Sequence, residues 1–214
     1  MPDVICTTVY QFSELSDAAK ERARSWYREL GPHDDWWDTV YEDFERICEI
    51  LGIRLKTTSV RLMGGGTRSE PCIWFSGFWS QGDGACLEGY LSHAKGAAAR
   101  IRDYVPQDAT LHSIADRLQA IQRRNFYQLA AAISHRGRYY HEYTMSVDVT
   151  RDSPSWQPPT ADAEETVVEA IRDLARWLYR QLQTEYDHLT SDETIEDGII
   201  VNEYTFTEGG RRFG

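Results

Sequence analysis

The chain has 214 residues, 41% of them hydrophobic and 27% charged, with seven tryptophans and twelve tyrosines. That balance belongs to a soluble globular protein with a ring-rich core, large enough to bury most of its apolar surface without staples. Against 23 basic residues stand 34 acidic ones, a net charge of −11 that disfavours general binding to phosphate backbones and suits basic partners.

Residues 4–12, VICTTVYQF, are β-branched and aromatic and predict a first strand. Ser16 and Asp17 predict the cap of a helix running to about Leu30, with Ala19, Ala23, Trp26 and Leu30 on one side. Gly31-Pro32 ends it. A second helix is predicted from Asp34 to Leu51, stopped by Gly52, because Trp37, Val40, Tyr41, Phe44, Ile47, Cys48 and Leu51 recur at helical spacing. Its acids Asp35, Asp38, Glu42, Glu45 and Glu49 recur at intervals of 3, 4, 3 and 4, forming one stripe opposite the apolar face. Such a stripe is either a solvated helix back or a docking face for a basic partner.

Ile53 to Met63 predicts a strand, followed by a loop from Gly64 to Ser69. That loop, within MGGGTRSE, resembles a phosphate cradle only in its glycines, lacking the Gly-Lys-Ser/Thr ending. Cys72 to Trp79 is apolar on both faces and predicts a central strand, with Ala85 to Leu91 as its partner. Leu111, Ile114, Leu118, Ile121, Leu129 and Ile133 predict one helix from Asp108 to about Ser134. Arg138 to Val149 alternates with period two and predicts a strand with His141 on its apolar face. Residues 151–160 hold three of the seven prolines and predict a connector to a long helix, Ala161 to about His188. A short strand, GIIVNEYTF, and a Gly-rich basic tail close the chain. The pattern predicts one α+β domain over residues 1–214, with a largely antiparallel sheet and helices on one or both faces.

The stretch FWSQGDGAC, Phe78 to Cys86, is the most chemically suggestive. Gly82, Asp83 and Gly84 suit a turn between two strands. A sharper reading makes Cys86 a nucleophile with Gln81 as oxyanion donor, Asp83 beside it and His141 or His135 as base; papain-like proteases also place a glutamine before their cysteine. Those enzymes set the cysteine at a helix start, whereas Cys86 falls on a predicted strand. A shared metal at His141 and Glu142 is disfavoured, since adjacent strand residues point to opposite faces. No cofactor and no metal is expected.

No segment nears the ~20 apolar residues of a membrane helix, and no apolar run follows the first methionine. The four cysteines, Cys6, Cys48, Cys72 and Cys86, form no CxxC pair. The expectation is a cytoplasmic protein with reduced thiols and no membrane partner.

FWSQGDGAC and HRGRYYHEYTM, together with the opening YQFSELSDAAKERARSWY, resemble a family of uncharacterised phage and prophage proteins often labelled "antitoxin of toxin–antitoxin stability system". The resemblance covers most of residues 7–150. It implies a virus-encoded accessory protein acting in a bacterial cytoplasm, and no catalytic residue is carried over from it. The expected function is binding and neutralising a host protein or nucleoprotein complex through its basic surface: a toxin, a CRISPR complex or another defence factor. An enzyme built on Cys86 and a histidine, and a phage assembly component, are the alternatives.

Overall fold

The computed structural model describes residues 7–32 and 35–214. Its elements begin with β1 (Tyr10–Gln11), α1 (Asp17–Leu30), α2 (Asp38–Leu51), β2 (Ile53–Leu55), β3 (Thr57–Arg61), β4 (Thr67–Pro71) and β5 (Ile73–Phe75). β6 (Ala85–Leu87), β7 (Gly89–Leu91), α3 (Ala97–Tyr104), α4 (Ala109–Arg124), β8 (Leu129–His135) and β9 (Met145–Arg151) follow. α5 (Ala163–Leu189), α6 (Asp192–Val201), β10 (Thr205–Phe206) and β11 (Arg212–Phe213) complete the chain. The fold is α+β, and every strand pairing among the described residues is antiparallel.

Two compact units divide the chain, Asp38–Leu182 and Met1–Trp37 with Gln183–Gly214. The Pro-rich stretch 151–160 falls inside the first unit rather than at a boundary.

In the larger unit a four-stranded sheet runs in the order β2-β7-β8-β9. Its register sets Ile53 opposite Leu91, Gly89 opposite Ile133, and Ala131 opposite Val149. Hairpins β3–β4 and β5–β6 pair separately. The apolar side chains of α2 (Phe44, Ile47, Leu51), α4 (Leu111, Ile114, Ile121) and α5 (Ile171, Leu174, Leu178) are all buried. Each such side chain stabilises the fold by about 1.5–3 kcal/mol. Phe44 of α2 stacks on Trp177 of α5 at 6.4 Å. The Trp177 indole N–H donates at 2.6 Å to Asp108, the residue whose carboxylate also caps α4 by accepting from Leu111 N–H. One carboxylate thus ties a helix start to the face of another helix.

In the smaller unit α1 starts as predicted, with Ser16 accepting from Ala19 N–H. Phe12, Leu15, Ala19, Ala23, Ile195, Ile199 and Phe206 form its core. Arg24 joins α1 to α6 through Glu196 at 2.5 Å. In the basic tail, the Arg212 guanidinium lies over the rings of Tyr204 and Trp26, at 4.9 and 5.2 Å.

Several elements depart from expectation. The helix predicted over 108–134 stops at Arg124, and Leu129–His135 is a central strand. The predicted strand 138–149 begins only at Met145, because Glu142–Thr144 forms a 3-10 turn. GIIVNEYTF is not one strand: Gly198 to Val201 end α6, leaving only Thr205–Phe206 as strand. The predicted strands 53–63 and 85–91 each split in two, and 72–79 keeps only Ile73–Phe75. Thr67–Ser69, predicted as loop, pairs as strand β4. The helix predicted from Asp34 starts at Asp38, with Asp35 in the left-handed region at φ 66. α3 was not anticipated. Residues 4–6 of the first predicted strand lie outside the described residues, and the rest contributes only Tyr10–Gln11.

Gly52 joins α2 to β2 at φ 84, where a β-carbon would stand 2.3 Å from the Ser92 carbonyl oxygen and 2.9 Å from the Ala94 β-carbon. Gly52→Ala therefore combines left-handed strain with overlap against backbone, a loss on the order of 3 kcal/mol. Thermal denaturation followed by circular dichroism should show a melting temperature lower by roughly 5–10 °C.

Candidate functional site

The stretch Phe78–Cys86 belongs to the connection of hairpin β5–β6, in which Trp74 pairs with Cys86 and Phe75 with Ala85. Asp83 organises the connection: one carboxylate oxygen accepts from Ser80 N–H at 2.7 Å and Trp79 N–H at 3.1 Å. Asp83 N–H returns a bond to the Ser80 carbonyl at 3.1 Å. Short polar side chains that bond nearby backbone favour such turns. Gly82 supplies the positive φ of 95. Ser80 thus acts through its backbone, and Gln81 is exposed at the tip. Further back, Ser76 Oγ donates to the Tyr140 carbonyl and accepts from Gly84 N–H.

Gly84 meets His141, whose ring Cδ2 would lie 2.8 Å from a β-carbon there. The two sequence segments singled out for a pocket are therefore neighbours. Cys86 takes no part in an exposed site. It is completely buried, and burial reinforced by the Glu88 carboxylate pushes its thiol from 9.0 up to about 12, against donors at the His141 backbone and Thr144 hydroxyl. At pH 7 only about one molecule in 10⁵ would carry the thiolate, the form that attacks. His135 has other partners: its ring nitrogen lies 2.9 Å from the Tyr139 carbonyl, and the ring packs on Trp74 and Tyr140.

His141 and Glu142 do meet, contrary to the strand-based expectation, because the 3-10 turn replaces strand geometry here. Nδ1 of His141 lies 3.1 Å from Glu142 Oε2 and 3.3 Å from Tyr143 N–H. Protonated, Nδ1 donates to the carboxylate; neutral, it is placed to accept the amide. Glu142 is 8% exposed, and its other oxygen accepts from Arg176 Nε at 2.8 Å. Arg176 also donates to Asp173 at 2.5 Å and to Tyr143 Oη at 3.2 Å. Arg172 and Arg176 both lie over the Tyr143 ring, at 4.9 and 5.6 Å. This network escaped the sequence reading. Its only trace is a pair of arginines one turn apart on a long helix, and Glu142 sits 34 residues before Arg176 in the chain.

Along α2, Asp38, Glu42, Glu45 and Glu49 are exposed, as the stripe predicts, while Asp35 precedes the helix. Glu49 is paired with Arg46. Among the described residues Asp38, Glu42 and Glu45 make no ion pair. Partial burial and the neighbouring Glu42 charge raise the Glu45 carboxyl above its ordinary range. The stripe is thus crowded with like charge, which a cation brought alongside would relieve.

No group of three or more His, Cys, Asp or Glu among the described residues could hold a metal ion, and no described helix is long and apolar enough to cross a membrane.

A family model described as a domain of unknown function (DUF8835) matches residues 36–192, nearly three quarters of the chain. No curated protein and no solved structure matches it.

The buried thiol has a measurable consequence. Because folding raises the Cys86 pKa, its contribution to stability is complete below about pH 9 and is lost as pH rises towards 12. Cys86→Ala should remove about 1.4 kcal/mol per pH unit from the alkaline slope of stability across that window, read by urea denaturation at several pH values. In the native protein at pH 8, Cys86 should resist a thiol reagent that labels it readily in urea.

Proposed function

Starting from the fact that the chain belongs to the DUF8835 family, whose description assigns no activity, we propose that this protein binds a basic host factor and neutralises it by covering its cationic surface. The observation that carries the reading is the exposed face of α2, where Asp38, Glu42 and Glu45 stand without counter-cations among the described residues of a chain of net charge −11. Charge complementarity of this kind speeds encounter and selects partners more than it adds raw affinity. A basic protein, or a nucleoprotein complex with a cationic groove, is the fitting class of target. The likeness of FWSQGDGAC and HRGRYYHEYTM to phage and prophage proteins supports a role in counteracting a bacterial toxin or defence complex within the cytoplasm. Blocking is steric and electrostatic and needs no chemistry from the protein, consistent with the un-ionised, buried state of Cys86.

The test is the triple charge reversal D38K/E42K/E45K, compared with the unaltered protein in capture from lysate of the bacterial host and in titration against the purified captured factor. The affinity should fall at least tenfold, and the dependence of binding on salt should flatten, as expected when several exposed ion pairs are lost. The melting temperature should hold or rise, since the reversals relieve like-charge crowding at exposed positions. Equal capture by the reversed protein would show that the α2 face is only a solvated helix back.

A further inference from the structure

The turn from α4 to β8 and the connector from β9 to α5 share an unusual property. Phe126 and Tyr127 in the turn and Trp156 in the connector adopt left-handed backbone conformations, at φ 56, 61 and 56. Bulky side chains rarely accept that region, and such strain persists where the surroundings impose it and where ligands bind. Here the surroundings do impose it. Asp152 N–H donates to the Gln128 carbonyl at 2.9 Å, and the amide of buried Asn125 exchanges two hydrogen bonds with Thr160.

Between the two segments lies an open groove of ≈ 370 Å³, lined by Phe126, Gln128, Arg151, Ser153, Ser155 and Gln157, with Pro154 at its rim. Phe126 is 71% exposed and Trp156, between two of the lining residues, is 95% exposed. Rings of this size shown to water at strained positions are a cost without a partner. In a chain of net charge −11, no carboxylate lines this groove.

Arg151, its one charged residue, is committed to building it. The guanidinium lies 5.3 Å from the centre of the Phe126 ring and donates to Gln128 Oε1 at 3.0 Å, Gln157 Oε1 at 3.3 Å and the Pro158 carbonyl at 3.2 Å. Both glutamine carbonyls therefore face the arginine, and their NH₂ groups remain as donors for a ligand. The Ser153 and Ser155 hydroxyls, 3.2 Å apart, can donate or accept.

We propose that this groove binds a neutral pyranose ring. A pyranose presents an apolar C–H face and a rim of hydroxyls, matching one aromatic floor edged by two amide donors and two hydroxyls. A phosphate-bearing ligand would find a single guanidinium with three of its five N–H donors already engaged, and would meet the repulsion of an acidic protein. A proline-rich peptide would need successive ring-lined slots, whereas one ring lines this groove.

The test is isothermal titration, with tryptophan fluorescence in parallel, of the full chain against glucose, galactose and N-acetylglucosamine, and against immobilised oligosaccharides ending in the same rings. Saturable binding to at least one ring is expected, with Kd of about a millimolar or tighter. Response to the free sugars points to a metabolite, and response only to the oligosaccharides points to a surface glycan. Phe126→Gly should weaken binding at least tenfold. Phe126→Gly should leave the melting temperature unchanged or higher, since glycine accepts positive φ without strain. Met63→Ala, at an exposed apolar residue on the β3–β4 turn, should leave binding intact. Absence of saturable binding to every ring overturns the proposal, as does preferential binding of octaproline or a single-stranded oligothymidylate.

Discussion

Two buried amides hold the larger unit in its observed shape. The Gln122 side chain donates to the Leu129 carbonyl at 2.8 Å and accepts from Leu129 N–H at 3.1 Å, copying the hydrogen bonds of a neighbouring strand. Three residues on, Asn125 donates to the Ile121 carbonyl, closing the last turn of α4, and to Thr160. Both side chains are buried, so an unmade bond at either would cost about 1–3 kcal/mol with no water to replace it. Satisfying them forces the chain to turn within four residues. Phe126 and Tyr127 take left-handed conformations, at about 1–3 kcal/mol each. β8 then enters the sheet between β7 and β9, and the connector 152–162 is drawn to the same turn. The exposed aromatic groove is a direct product of that constraint.

Charge is distributed with comparable economy. The described arginines mostly serve internal ends: Arg24 bridges two helices of the smaller unit, Arg176 satisfies the buried Glu142, and Arg151 orients two glutamines. Of the acids of α2, Glu49 pairs with Arg46 and Asp43 accepts from the Tyr104 hydroxyl, while Asp38, Glu42 and Glu45 make no ion pair among the described residues. Exposed carboxylates without a partner cation act on encounter more than on stability.

The neighbourhood of Cys86 shows how environment overrides composition. A cysteine, a histidine and a glycine-bracketed aspartate come together in space, the ingredients of a nucleophilic site. Yet the thiol lies under the turn rather than at its lip, and its contacts with His141 run through the backbone. Histidine 141 turns its Nδ1 towards Glu142 and Tyr143 instead. Proximity of reactive residue types is insufficient when desolvation holds the nucleophile in its protonated form.

Where local chemistry and tertiary demand agree, the sequence was legible. Ser16 caps α1, Gly52 stops α2, the period of α2 separates its apolar and acidic faces, and the glycines around Asp83 mark a turn between two strands. Antiparallel α+β architecture followed from the irregular alternation of helix and strand patterns. The reading failed where a segment's pattern satisfies two structures at once. Leu129-Ala-Ala-Ala-Ile133 continues a helical repeat, and becomes a strand because Gln122 and the open edges of β7 and β9 supply its backbone partners. Gly198 to Val201 has β-branched residues, and becomes helix because Ser191 caps it and Ile195 and Ile199 complete a core with Phe206. The site divides the same way. The sequence alone determined the acidic stripe, since helical period needs only local hydrogen bonds, and it brought the Gly84 turn and His141 under joint suspicion. Only the tertiary structure decided that Cys86 is buried, that Glu142 is paired with Arg176, and that Phe126 lines a groove. Burial, ion pairing and imposed backbone strain depend on residues distant in the chain, and no local pattern encodes which of them will meet.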